Sequence, residues 1–242
     1  MLRKVLLACG ILASLLYVAA TILGAMQWNG GYDWTTRQVS ELFALDAPSR
    51  PLVATAFLAY GVLMIPFGVG VWLSAGHKRA LRIVGGLLIG YAAVGLPGPL
   101  FFSMHTMVRG GGAQGMAQSD VLHIILTAVL VLLILLSIGF GATAFGTSFR
   151  LYSIVTLLIV VVFGALAGLQ GGQMAANLPT PWMGVEERLN IFGYMLWVVV
   201  LAVGLLRAQG ARAPKQVGKP TATPQMTLKP TQQERVPVAS PR

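Results

Sequence analysis

The sequence predicts an all-α polytopic membrane bundle of six transmembrane helices, both termini cytoplasmic, with a short amphipathic helix in the first outer loop. Three observations carry this reading: 56% of the 242 residues are apolar and only 10% charged, the apolar residues fall into six long runs, and Lys and Arg concentrate on alternate connections. Soluble domains carry about 25% charged residues. The runs are continuous rather than alternating, which disfavours a transmembrane β-barrel.

The runs cover 5–26, 52–74, 83–104, 121–146, 151–169 and 189–206. At 1.5 Å per residue each is long enough to cross about 30 Å of hydrocarbon, and without water to satisfy an open backbone each must be helical. In the first run, Leu6-Leu7-Ala8-Cys9 behind Met1-Leu2-Arg3-Lys4 has the outline of a lipoprotein cleavage box. Too few apolar residues precede Cys9 for a signal-peptide core of about 7–15, so an uncleaved first helix is expected. Cys9 is the single cysteine and excludes an internal disulfide.

The first outer loop, 27–51, is the longest. Thr35 or Thr36 can cap a short helix in it, with Val39, Leu42 and Phe43 on one face and Arg37 and Glu41 four apart on another. Pro66 in the second run, and Pro97 with Pro99 in the third, predict kinks or breaks. Gly86 and Gly90, and Gly164 and Gly168, have the spacing that lets helix backbones approach closely.

Thirteen of the 17 Lys and Arg fall on one side of a six-span chain, leaving Arg37, Arg50, Arg109 and Arg188 on the other. By the positive-inside rule both termini are cytoplasmic. Asp33, Glu41, Asp46, Asp120, Glu186 and Glu187 share the outer side, as do Trp28, Tyr32, Trp34 and Trp182 at the interface. The net charge of +10 therefore reads as topology, not as a nucleic-acid site. Residues 1–207 form the membrane domain, and 208–242, rich in Pro, Lys, Thr and Gln, are expected to be a disordered basic cytoplasmic tail able to lie near anionic lipid.

No ionisable residue falls at mid-span, which argues against an ion-coupled carrier. Paired haem ligands within the bundle are lacking too, since His77 is cytoplasmic and only His105 and His123 approach the outer ends. Chemistry is therefore expected at the outer mouth. Asp120 and His123 are three apart at the start of the fourth span, and His105 ends the third; two histidines and a carboxylate are the ingredients of a zinc site with an open position for water. No tight spacing such as His-Glu-x-x-His accompanies them. Asp120 serves equally as a helix N-cap, Glu186 and Glu187 suit the favourable end of a helix dipole, and Arg188 suits an ion-pair tie between outer loops.

Ser40-Glu41-Leu42 with Ala47-Pro48, and Gly184-Val185-Glu186-Glu187-Arg188 ahead of Trp197, resemble the bacterial and archaeal membrane family known as domain of unknown function 998, over roughly 6–206. The resemblance implies a compact multi-helix membrane fold in a prokaryotic plasma membrane, and it emphasises Ser40, Glu41, His105, Glu187 and Arg188 as ligand-binding positions. The leading expectation is a non-enzymatic protein that binds a lipid, small amphiphile or membrane partner at the outer mouth, with membrane lipids as partners and no cofactor. The first alternative is a zinc-dependent membrane hydrolase with His105, Asp120 and His123 as ligands and Glu187 as general base. The second is a structural or assembly role against another membrane protein.

Overall fold

The computed structural model describes residues 1–106, 117–176 and 178–211. Arg109 and the basic tail beyond residue 211 lie outside the described residues, while 208–211, expected to belong to that tail, continue the last helix. The elements are α1 (Leu2–Ala25), a 3-10 turn (Ser40–Phe43), α2 (Arg50–Ser74), α3 (Arg79–Gly95), α4 (Gly98–Phe101), α5 (Gln118–Gly141), α6 (Thr147–Leu169), α7 (Gly171–Ala175) and α8 (Met183–Ala211). No strand occurs among the described residues. Six stretches are long and apolar enough to cross a membrane, α3 with α4 and α6 with α7 each counting as one, and the chain is an integral membrane protein of the helical-bundle class.

Neighbours pair in the order α1 with α2, α2 with α3, α3 with α5, α5 with α6, α6 with α8 and α8 with α1, so the six spans close a ring. The core between them is apolar, with Trp197, Tyr194, Phe67, Leu7 and Met64 fully buried. Pro97 breaks the third span as its ring demands: α3 stops at Gly95 and α4 restarts at Gly98. Pro66 lies inside α2, which runs through it without a break.

The close approaches differ from those that the glycine spacing predicts. A Cβ on Gly85 would lie 2.8 Å from the Gly68 carbonyl oxygen and 2.8 Å from the Trp72 nitrogen, so α2 and α3 touch backbone to backbone there. One position away, Gly86 faces only the Trp72 ring and Gly90 faces open space. On α6, Gly164 admits the Asn190 amide, and Gly168 has nothing within 4 Å. The expected pairs have the right spacing, but in each pair at most one glycine meets a neighbour.

Polar atoms tie the helices where apolar packing alone gives no direction. Asn190 donates to the Val160 carbonyl (2.8 Å), and Trp197 Nε1 to Ser153 Oγ (3.1 Å), both joining α8 to α6. At the opposite end from the first loop, Lys78 Nζ caps the α5–α6 connection through the Ala144 carbonyl (2.7 Å). Between hydrocarbon-facing helices such bonds give orientation as well as energy.

Gly85→Ala should destabilise the protein by about 1–3 kcal/mol, because neither contacting backbone can give way. Gly90→Ala should stabilise it by roughly 0.5–1 kcal/mol, the ordinary gain of alanine over glycine within a helix. Thermal unfolding midpoints in one detergent compare the two; equal shifts would refute the assigned crossing.

Candidate functional site

The first loop does not lie flat on the bundle as an amphipathic helix would. It turns inward: Val39, Ser40, Glu41, Leu42, Phe43 and Ala44 are all buried, and the only helical element is the single 3-10 turn. Neither threonine caps it. Instead Asp33 accepts hydrogen bonds from the Thr35 N–H (2.9 Å) and from both threonine hydroxyls, which closes the turn before it. Those bonds, most strongly the two from the hydroxyls, hold the Asp33 pKa well below the usual carboxylate range.

A buried loop exposes carbonyls that no helix pairs, and Arg188 meets them. From the second turn of α8 its Nη1 donates to the carbonyls of Trp34 (2.9 Å), Arg37 (2.9 Å) and Gly184 (2.7 Å), and its Nη2 to the Tyr32 hydroxyl (2.9 Å). Its guanidinium stacks 4.6 Å from the Trp34 ring centroid and 5.4 Å from that of Tyr32. Burial pushes the Tyr32 pKa above its ordinary value despite the adjacent Arg188, so this hydroxyl stays protonated and donates in turn to the Gln38 carbonyl. The loop can approach only because residue 184 is glycine: a Cβ there would lie 2.4 Å from the Arg37 oxygen and 2.5 Å from the Trp34 oxygen.

Two carboxylates complete the tie. Glu41, with no exposed surface, pairs with Arg37 at 2.8 Å and accepts the Gln38 N–H at 3.1 Å. Arg37 also lies over the Trp28 ring, 4.6 Å from its centroid. Glu187 accepts the Val39 N–H. Arg188 thus ties loop to helix, as its place beside the glutamates suggests, but through backbone carbonyls rather than an ion pair. Glu186 takes a separate partner, the Gln170 side chain.

On the other side of the mouth, His105 and Asp120 meet: the His105 N–H donates to Asp120 Oδ1 (2.9 Å) and its Nδ1 lies 3.2 Å from the same oxygen. Asp120 is not the N-cap but the third residue of α5, and it reaches back to the Ala117 N–H (3.1 Å). His123 turns away and gives Nδ1–H to the Phe102 carbonyl (2.8 Å). The proposed trio is therefore not gathered around one point, and among the described residues no group of three His, Cys, Asp or Glu side chains could hold a metal. Asp46 ties the first loop to the segment that follows α4 through the Thr106 N–H (2.8 Å) and hydroxyl. Burial opposes its charge, but the Thr106 bonds outweigh it and leave the Asp46 pKa below the usual range.

Beneath the inserted loop, inside the ring, lies a cavity of about 590 Å³. Ser40, Gln38 and Phe43 roof it. Tyr17, Phe57, Tyr60 and Tyr91 wall one side, and Glu187, Asn190 and Tyr194 follow one another down α8. Asp120 and His123 also line it, whereas Glu41, His105 and Arg188 do not. Of the five positions emphasised by resemblance, the cavity gathers only Ser40 and Glu187. Asn190 and the tyrosines were missed, though a signal existed: Glu187, Asn190 and Tyr194 share one face of a hydrophobic helix, and tyrosines away from the interfaces are unusual in a span.

The family model described as "Protein of unknown function (DUF998)" matches residues 11–204. The chain belongs to the DUF998 family. The match spans all six membrane segments, including the inserted loop and both carboxylates of the tie. No curated protein and no solved structure matches the chain.

Arg188→Met should leave the partly buried Trp34 carbonyl without its donor and the Arg37 carbonyl with only the Tyr32 hydroxyl, at a cost of about 1.5–3 kcal/mol. Lysine should not rescue it, because one ammonium cannot span this fork. Hydrogen exchange read by mass spectrometry should show faster exchange across 32–44 in both variants; unchanged exchange would remove Arg188 from its assigned role.

The lowered Asp46 pKa fixes the sign of a pH effect. The carboxylate contributes stability above its ordinary unfolded-state pKa, and that contribution disappears as pH falls through the lower folded value. Protection of the Thr106 amide, taken relative to its intrinsic exchange rate at each pH, should therefore fall on acidification in the wild type and should not depend on pH in Asp46→Asn.

Proposed function

We propose that this DUF998 protein binds a lipid or small amphiphile in the cavity beneath its first loop. The observation that carries the reading is an intramembrane cavity of about 590 Å³ with apolar walls and polar groups gathered towards one end, the form of a site for a molecule with a polar head and an apolar body.

The arrangement of α5 and α6 supports it. The buried residues of α5, Ile134, Ser137, Ile138 and Gly141, all fall in its second half, and those of α6, Ser153, Thr156 and Val160, lie mainly in its first. The two helices thus pack together at the end away from the first loop. Towards the loop the packing loosens: over 118–133 of α5 and 161–169 of α6 neither helix has a buried residue. Both helices line the cavity in this loosened half, through Ile124, Thr127 and Val131 on one and Gly164, Ala167 and Gly168 on the other. An amphiphile entering from the membrane would pass between them without leaving hydrocarbon. By the charge distribution this loosened half faces the outside of a plasma membrane.

Gly168 offers the test, since it lines the cavity and a Cβ there meets nothing within 4 Å, which leaves room for a large side chain at the opening between the two helices. Native mass spectrometry of the detergent-extracted wild type should show a retained lipid or amphiphile. Gly168→Phe should lose it while unfolding within a few degrees of the wild type. Absence of any retained molecule across several detergents, or equal retention by the variant, would overturn the proposal.

A further inference from the structure

The cavity's lining is one-sided in charge. Among the described residues it contains the carboxylates of Glu187 and Asp120 and no lysine or arginine. The nearby cations are otherwise engaged. Arg188 does not line the cavity and, although its Nε has no partner, spends both Nη atoms on three carbonyls and the Tyr32 hydroxyl; Arg37 is paired with Glu41, and Arg50 donates to the carbonyls of Phe43 (3.1 Å) and Pro99 (3.4 Å). An anionic head entering this space would meet like charge in a medium that screens it poorly.

Much of the cavity's lining is aromatic. Tyr17 stacks on Phe57 with centroids 4.2 Å apart, Tyr60 meets Tyr17 edge-on at 5.2 Å, and Tyr91 meets Tyr194 at 5.5 Å. All five line the cavity. Ring faces carry negative partial charge and attract cations, the more so where water is excluded. A third observation is independent of both: the Tyr194 hydroxyl is buried and has no hydrogen-bond partner, leaving an unmatched polar atom in the cavity's lining. Such an atom is left for a ligand to satisfy.

Glu187 is the group best placed to use this. It stands at the boundary between the inserted loop and the cavity and is bonded to the Val39 N–H on its loop side. It lies in the first turns of α8 and lines the void. We infer that the cavity selects lipophilic cations, with the Glu187 carboxylate as the charge partner of the ligand and the tyrosine and phenylalanine rings as its cation-binding wall. This rests on the proposal that the cavity holds an amphiphile and adds the sign of that amphiphile's charge.

Three probes of nearly the same shape separate charge from size: tetraphenylphosphonium, tetraphenylborate and uncharged triphenylphosphine oxide. Binding is measured by equilibrium dialysis against the full chain in an uncharged detergent, with empty micelles subtracted. Tetraphenylphosphonium should bind about ten-fold or more tightly than the phosphine oxide, and tetraphenylborate should bind less tightly than either. Glu187→Gln retains an oxygen acceptor for the Val39 N–H and should abolish the preference for the cation, leaving phosphine oxide affinity within about two-fold. Ile124→Lys places a positive charge on the exposed half of α5, outside the tie, and should reverse the order of the two ions even if the Glu187→Gln variant fails to fold. Binding of the neutral probe with no cation preference, or a preference unchanged in both variants, would overturn the assignment and leave the amphiphile-binding proposal standing. Failure of all three probes to bind would overturn both.

Discussion

Burying an irregular loop inside a membrane bundle is possible only if its backbone finds partners, and here they come from the Arg188 guanidinium at the turn that leads in and from Tyr32, Glu41, Glu187, Ser49 and Arg50 beyond it. Residues 38–44 are buried within the ring, where an unpaired carbonyl is far more costly than at a wet surface. Arg188 holds the turn that leads into them with a fork that no other side chain offers, meeting two loop carbonyls, a tyrosine hydroxyl and its own helix at once. The remaining parts follow from that constraint. Residue 184 must be glycine for the carbonyls to come within reach, Glu187 must face the loop's N–H groups, and Trp34 and Tyr32 must cover the cation. Within the tie Arg37 and the fully buried Glu41 form an ion pair, which is how charged groups survive burial.

The spans were legible in the sequence because hydrocarbon permits so few structures: six long apolar runs can only be helices, and Pro97 can only interrupt one. The close contacts were less legible. A glycine pair four apart says that a helix has a smooth stripe, but not which neighbour lies against it, and the α2–α3 contact formed at Gly68 and Gly85 instead. The candidate site was half legible. Pattern drew attention to Glu41, Glu187 and Arg188, yet could not show that two of them serve the loop while the third also faces a cavity. His105, Asp120 and His123 lie close along the chain's ends, but hydrogen bonds to backbone turned His123 towards Phe102 and Asp120 towards Ala117. Side-chain direction at helix ends is set by which backbone groups need partners, and spacing carries no record of that.

A cavity of this size within a membrane bundle asks what keeps it open. Collapse would require α5 and α6 to close together along their full length, and two features oppose this. Asn190 holds α8 to α6 at the Val160 carbonyl, with Gly164 admitting its amide, which fixes that wall from the inside. On the other wall, Tyr60 and Tyr91 share a hydrogen bond of 3.1 Å, and their rings brace α2 against α3. Helices in hydrocarbon gain nothing from hiding apolar surface from lipid, so α5 and α6 can stay apart where no polar bond draws them together.

Glu187 joins the two halves of the structure. Its bond to the Val39 N–H helps to hold the inserted loop, and it also lines the space beneath that loop. A ligand group drawn to this carboxylate would compete with, or reinforce, its hold on Val39, so occupancy of the cavity and seating of the loop would share one free energy. Coupling of this kind needs no long pathway, since a single side chain has both the loop and the cavity as neighbours. The Arg188 fork keeps the loop in place by bonds on the other side of the helix turn, so a shift at Glu187 would be felt first at residues 38–40, which roof the cavity, and only then at Trp34 and Arg37. The polar roof of the cavity, rather than its aromatic wall, is therefore the part of the fold in which binding and conformation can be linked.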